Sequence, residues 1–266
     1  MLAMSGFVAY LKRKKERRMK KERAAALVAR AGLAQNEEYA KRLIMARQVF
    51  IDKGQGTLVP VEKPGQALPS DTPLVLRGVE RFVSRGAYKL LTAIETFRLD
   101  VSGFVCLDAG ASTGGFTDCL LQHGAARVYA VDVGRCQLHE KLRQDPRVIS
   151  IEGVNLRLAG PDLLPEKVDM LVADVSFISL TKVLPPCMAF LKPGGLVAAL
   201  IKPQFEAPPH GTDRGVVRDE RLRDELVRRV ADFCREELSL SCIGVEPSRI
   251  LGPKGNQEYL AVFKKD

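Results

Sequence analysis

The chain has 266 residues, with 41 Lys and Arg against 32 Asp and Glu for a net charge of +9, 46% hydrophobic residues, 6% aromatics and no Trp. That length accommodates one α/β domain of ~150 to 200 residues with a smaller companion, and the hydrophobic share excludes disorder as the state of the whole chain. The longest strongly apolar run, Leu196 to Ile201, falls far short of the ~20 residues a bilayer span requires, so a transmembrane helix is excluded and the surplus of base points to a polyanionic partner.

Most of that surplus is local. Residues 12–23, KRKKERRMKKER, hold nine bases and two acids, which is +7 of the total. Such a basic N-terminal arm, residues 1–23, serves either as a solvated tail or as a contact for nucleic-acid phosphates. The apolar segment Phe7 to Leu11 precedes the bases, the reverse of the order in a secretory signal peptide. Cys106, Cys119, Cys136, Cys187, Cys234 and Cys242 are irregularly spaced without a CxxC, and His123, His139 and His210 are scattered among them. This pattern predicts no metal site, no disulfide framework and a reducing, cytoplasmic setting.

After the arm, a first helix is predicted over Ala24 to Ala31, stopped by Gly32. A second opens on Asn36 as N-cap, with Tyr39, Ala40, Leu43 and Ile44 at helical spacing. Short strands follow over Val49 to Ile51, Leu58 to Val61 and Leu74 to Leu76, so residues 24–80 form a small α+β module. From Arg81 the rhythm changes to strands alternating with longer helices, which implies a mostly parallel sheet. Strands are predicted over Phe104 to Leu107, Val128 to Val131, Val148 to Ile151, Met170 to Ala173 and Leu196 to Ile201. Helices are predicted over Ala87 to Phe97, Thr117 to His123, Leu138 to Gln144, Leu184 to Leu191 and Asp219 to Glu237. In the first of these, Leu90, Leu91, Ile94 and Phe97 share an apolar face and Lys89 lies away from its centre. Leu240 to Val245 and Tyr259 to Phe263 suit a closing antiparallel pair.

The strongest motif is CLDAGASTGGFT, Cys106 to Thr117: an apolar strand, an acid at its end, a glycine-rich turn and a helix. Glycine lets a backbone approach a ligand closely, and the following helix presents its first N–H groups outside the strand end. Gly110, Gly114 and Gly115 give GxxxGG in place of the GxGxxG of a pyrophosphate-binding turn, which argues against a nicotinamide-dependent reductase. Asp108, two residues before Gly110, suits a zwitterionic ligand with an amino group and a sulfonium, as in S-adenosylmethionine. Asp132, ending the next strand, is placed to bind ribose hydroxyls. Asn155 is either an adenosine-side contact or a turn former. At two further strand ends, Asp174 and Lys202 directly follow apolar runs, where open α/β folds place their sites; an ordinary solvated rim explains each charge equally well.

SRGAYKL (Ser84 to Leu90), LDAGASTGGFTDCLLQHGAARVYAVDV (Leu107 to Val133), DVSFISL (Asp174 to Leu180), KPQFE (Lys202 to Glu206), GVVRD (Gly215 to Asp219) and GNQEYL (Gly255 to Leu260) occur in this order. Together they resemble the TlyA-type ribosomal RNA methyltransferases, some of which carry a haemolysin label. The resemblance implies a Rossmann-like S-adenosylmethionine-dependent methyltransferase fold of the FtsJ-like kind over residues 85–266, with a mostly parallel seven-stranded sheet. It also implies a short linker at residues 81–84 and an S-four-type RNA-binding domain over residues 24–80. For chemistry it implies ribose 2′-O-methylation, with a cytidine of ribosomal RNA in a ribosomal subunit as acceptor, by a tetrad of Lys89, Asp174, Lys202 and Glu258, Lys202 being the candidate base. S-adenosyl-L-methionine would sit against Asp108, Gly110, Ala111, Ser112, Thr113, Gly114, Gly115, Phe116, Asp132, Val133, Asn155 and Asp174. Arg30, Lys41, Arg42 and Arg47 are the RNA-contact candidates of the front module, and Gln35-Asn36 stands where the family usually has Ser-Arg. Two other classes compete: an RNA-binding ribosome assembly factor whose methyltransferase domain is inactive, and a membrane-damaging cytolysin.

Overall fold

The computed structural model describes residues 20–34, 36–78 and 81–266; most of the basic arm, and Gln35, lie outside the described residues. The chain divides into two compact units, one ending at Arg81 and the other running from Phe82 to Asp266.

The first unit contains β1 (Lys21–Arg23), α1 (Ala24–Arg30), α2 (Glu37–Met45), β2 (Val49–Asp52), β3 (Leu58–Pro60), β4 (Ala67–Pro69) and β5 (Leu74–Leu76). Strand β2 lies between β3 and β5 and is antiparallel to both. Leu27, Val28, Leu43, Ile44, Val49 and Val61 meet in its core. Gly32 takes a φ of 73° just beyond α1, and the Asn36 Oδ1 accepts a hydrogen bond from the Tyr39 N–H at 2.8 Å, so both sequence signals act as read. The sequence reading missed β1 and β4, which pair antiparallel with Lys21 opposite Pro69 and Arg23 opposite Ala67. The tail end of the basic run is thereby built into this unit. Unlike Leu58 to Pro60 and Leu74 to Leu76, the segments Lys21 to Arg23 and Ala67 to Pro69 carry no β-branched residue, so only the distant partner reveals them.

The second unit begins with α3 (Ala87–Phe97). It then alternates β6 (Val105–Ala109), α4 (Gly115–Gln122), β7 (Arg127–Asp132), α5 (Glu140–Arg143) and β8 (Val148–Glu152). Beyond these come β9 (Val168–Ala173), α6 (Leu180–Cys187), β10 (Leu191–Ile201), α7 (Pro203–Glu206), α8 (Glu220–Leu238), β11 (Leu240–Pro247) and β12 (Tyr259–Lys265). Seven strands form one sheet in the order β11-β12-β10-β9-β6-β7-β8. Strands β6 to β10 run parallel and β11 pairs antiparallel with β12, as the sequence reading expects, while β12 is also antiparallel to β10. Side-chain alternation feeds two cores. Cys106, Val128, Met170, Val172, Ala198 and Leu260 face α3 and α4, while Leu107, Tyr129, Leu171, Val197, Ile201 and Phe263 face α6 and α8.

Three local expectations need correction. The helix expected over Leu184 to Leu191 is α6, four residues earlier, with Ser179 at its N-cap and Pro185 and Pro186 inside. Strand β10 begins at Leu191, ahead of the expected Leu196, with an irregularity in its pairing with β9 between Leu191 and Leu196. Phe82, read as linker, is only 2% exposed and packs into the core of the second unit, its ring 5.2 Å from that of Tyr88 in an edge-on contact.

Candidate active site

Strand order reverses between β6 and β9, which opens a crevice beyond their C-terminal ends. The glycine turn follows β6 there. Gly110 has a φ of 85°, and a Cβ on it would lie 3.0 Å from the Asp174 carbonyl oxygen, so only glycine lets the exits of β6 and β9 run this close. Gly114 and Gly115 have a different task. A Cβ on Gly114 would lie 2.2 Å from Leu142 Cδ1, and one on Gly115 would lie 2.4 Å from Ser84 Oγ and 2.9 Å from the Ala87 nitrogen. These two glycines allow α4 to pack against its neighbours.

Two carboxylates hold the turn. The Asp132 Oδ2 accepts from the Ser112 N–H at 2.8 Å, and its Oδ1 accepts from the Gly134 N–H at 2.7 Å. The Asp108 Oδ2 accepts from both the Thr117 N–H at 3.0 Å and the Thr117 hydroxyl at 2.7 Å, tying β6 to the first turn of α4. Asp108 is fully buried, and its Oδ1 has no hydrogen-bond partner. Burial raises its carboxyl to about 7, with the charges of Asp174 and Asp132 adding to the rise and the Thr117 hydrogen bonds opposing it.

A cavity of about 420 Å³ opens along this crevice, lined by Gly110, Ser112, Asp132, Val133, Asn155 and Asp174 among others. Ala111, Thr113, Gly115, Phe116 and Lys202 line a second cavity of about 160 Å³, which shares Gly110, Ser112, Asp174 and Ser176 with the first. Asp108 and Gly114 are absent from both walls. Asp108 is engaged by Thr117 and Gly114 lies close to Leu142, both beneath the turn. Asn155 lines the first cavity, and its Oδ1 accepts from the Arg157 N–H at 3.1 Å, the turn-forming role.

The four expected catalytic side chains form two ion pairs. Lys202 Nζ lies 2.6 Å from Asp174 Oδ1, and Lys89 Nζ lies 2.6 Å from Glu258 Oε2. Lys202 and Asp174 reach the cavity wall, while the second pair is buried and touches neither cavity. Lys89 is 8% exposed in spite of its place off the centre of the apolar face of α3. An ammonium this buried is tolerated because a carboxylate meets it.

The segment 202–206 ties the pairs together. Gln204 donates from Nε2 to Glu258 Oε1 at 3.0 Å, two residues after Lys202 has engaged Asp174. Glu206 accepts from the Ser179 hydroxyl at 2.6 Å and from the Leu180 N–H at 2.9 Å, clamping the start of α6. Between these rungs, the Phe177 and Phe205 rings lie 5.0 Å apart. Residues 174–180 and 202–206 are thus joined along their length. Glu206, Gln204 and Ser176 have no role in the sequence reading, although DVSFISL and KPQFE contain them all. Nothing local in either segment shows that they face each other.

In the first unit, Arg30 is engaged within the fold, with Nε 3.1 Å from Glu22 Oε2 and Nη2 donating to the Ser70 carbonyl at 2.6 Å. Lys41 meets Glu38 at 3.1 Å, while Arg42 and Arg47 stand exposed.

Over residues 82–265 the chain matches FtsJ-like methyltransferase. It is 43% identical over 244 residues to YqxC of Bacillus subtilis (strain 168), named as an rRNA methyltransferase, covering 91% of this chain and 85% of that one. It is 44% identical over 243 residues to the 16S/23S rRNA (cytidine-2′-O)-methyltransferase TlyA of Mycobacterium tuberculosis (strain CDC 1551 / Oshkosh), covering 90% and 88%. Among solved structures, a hemolysin-named protein from Streptococcus thermophilus superposes with a TM-score of 0.68 at 43% identity, covering 93% of this chain and 89% of that chain. With a mostly parallel seven-stranded sheet and the glycine turn at its switch point, the chain belongs to the FtsJ-like methyltransferase family, in the branch that holds TlyA and YqxC.

Proposed function

We propose that this protein transfers a methyl group from S-adenosylmethionine to the ribose 2′-hydroxyl of a cytidine in ribosomal RNA. The observation that carries this reading is the Lys202–Asp174 pair, at 2.6 Å, with Asp174 lining both cavities at the β6–β9 switch and Lys202 lining the smaller one. The residues present fit the cofactor. A volume of about 420 Å³ is within the ~300–1,000 Å³ range of small-molecule sites. Asp132, Val133 and Asn155 would hold the adenosine, and the turn from Gly110 to Thr113 together with Asp174 the amino-acid portion. The bound cofactor supplies a methyl group on cationic sulfur, which departs with the electron pair of the carbon–sulfur bond.

The protein has two tasks in such a transfer. It must hold the acceptor oxygen in line with the methyl group and remove the hydroxyl proton. Lys202, in its neutral form, takes that proton at Nζ. Asp174 orients the lysine. The Lys89–Glu258 pair acts from behind the wall, through Gln204, to fix the segment that carries Lys202. Arg42, Arg47 and the basic run of residues 12–23 supply phosphate contacts. Among the described residues no helix is long and apolar enough to cross a membrane, so the hemolysin name of some relatives has no counterpart in a spanning helix here.

The test is methylation of isolated ribosomal subunits with labelled cofactor, followed by mapping of 2′-O-methyl positions. Label on a cytidine ribose is expected, and Lys202→Ala should lower the rate by at least ~10²-fold, the usual contribution of a general base, with cofactor binding retained. Label on a base in place of the ribose, or a fully active Lys202→Ala, would overturn the proposal.

A further inference from the structure

We infer that Ser176 is a positioning residue for Lys202, its hydroxyl and the Asp174 carboxylate together aiming the lysine nitrogen at the acceptor hydroxyl. This deepens the preceding proposal and rests on Lys202 as the base.

Besides its bond to Cε, a lysine nitrogen has three tetrahedral directions. Ser176 Oγ at 2.8 Å accepts along one of them, whereas Asp174 Oδ1, 2.6 Å away, meets the nitrogen as an ion-pair contact and accepts no hydrogen bond from it. Both partners lie on the one short segment leaving β9. The charge contact alone would leave the nitrogen free to turn about the last side-chain bond. The hydrogen bond to Ser176 fixes that turn.

The surroundings favour a hydroxyl at this position. A second carboxylate would add negative charge beside the amine and hold its proton, whereas a hydroxyl accepts an N–H without adding charge. Ser176 is also exposed and lines both cavities. Its backbone is fixed from two sides. Asp174 donates its N–H to the Ala109 carbonyl at 3.1 Å, and beyond Ser176 come the Phe177–Phe205 contact and the Glu206 clamp on Ser179 and Leu180. The hydroxyl is therefore delivered to Lys202 by the same rungs that join the two segments.

The experiment measures single-turnover methylation of ribosomal subunits by the full chain, with cofactor binding followed separately by calorimetry. Ser176→Ala, at an exposed position, should slow methyl transfer by roughly 10- to 100-fold, the range expected for a misaimed catalytic group, and leave the cofactor dissociation constant unchanged. Ser176→Thr, which keeps a hydroxyl, should recover most of the rate. Wild-type turnover by Ser176→Ala, a matching loss of cofactor affinity, or equal loss in Ser176→Ala and Ser176→Thr would each overturn the inference. A fully active Ser176→Ala beside an inactive Lys202→Ala would remove only the positioning role, whereas full activity in Lys202→Ala would remove the base itself.

Discussion

Asp108 directs one oxygen at Thr117 and turns the other, unpartnered, into the interior. Its carboxyl is raised to about 7, whereas in an unfolded chain it would titrate near ~4. Between those two values the folded protein keeps a proton that the unfolded chain has released. Stability from this group is therefore full below the window and is lost as pH rises through about 7. Asp108→Asn keeps an acceptor for Thr117 and cannot ionise. Thermal unfolding followed from pH 5 to pH 8 should show a flatter dependence in Asp108→Asn than in wild type, and an unchanged slope would place the titration elsewhere. The acid before the glycine turn was visible in the sequence, but its direction was not. Whether a strand-end carboxylate looks outward to a ligand or inward to a helix depends on Thr117 nine residues later, and the two cases share one sequence pattern.

The elements carrying the site are held by contacts between segments far apart in sequence. Glu206 accepts from the buried Leu180 N–H at 2.9 Å, so Glu206→Ala strands a helix-initiating donor. We expect a loss of ~1–3 kcal/mol, seen as a lower urea midpoint at unchanged slope. No shift of the midpoint would mean that Ser179, the N-cap of α6, starts that helix without the clamp. The same contact explains where the sequence reading went astray. Judged locally, Pro185 and Pro186 suit the first turn of a helix, which points to a start near Leu184. The real start lies at Leu180, where Ser179 and a carboxylate 26 residues further on meet the free N–H groups. The parallel strands, by contrast, were legible from their apolar runs, because strands buried on both faces carry that signature in the chain itself. Asp174 and Lys202 could be read as strand-end charges. Lys89 and Glu258 could not, since helix periodicity sets Lys89 off the apolar centre and only the fold brings a partner from 169 residues away.

At the scale of the whole molecule, the excess of +9 is concentrated at one end, with residues 12–23 supplying +7. Because Lys21 to Arg23 are a paired strand, a deletion that tests the arm should stop before them. Removing residues 1–19 takes away six bases and one acid while sparing β1. We expect weaker binding to ribosomal RNA and a shallower dependence on salt, by ~0.7–0.9 in the log–log slope for each phosphate no longer neutralised, with cofactor binding intact. An unchanged slope would assign RNA contact to the folded modules alone. The position of β12 has a consequence for how the enzyme comes into being. This strand follows the other six of its sheet in the chain, yet it is inserted between β10 and β11, directly after Glu258. During synthesis, then, β10 and β11 must both emerge and wait with open edges, and Lys89 stays without its carboxylate until the segment from Glu258 onward has left the ribosome. A nascent chain shorter than this can neither form the Lys89–Glu258 pair nor close its sheet.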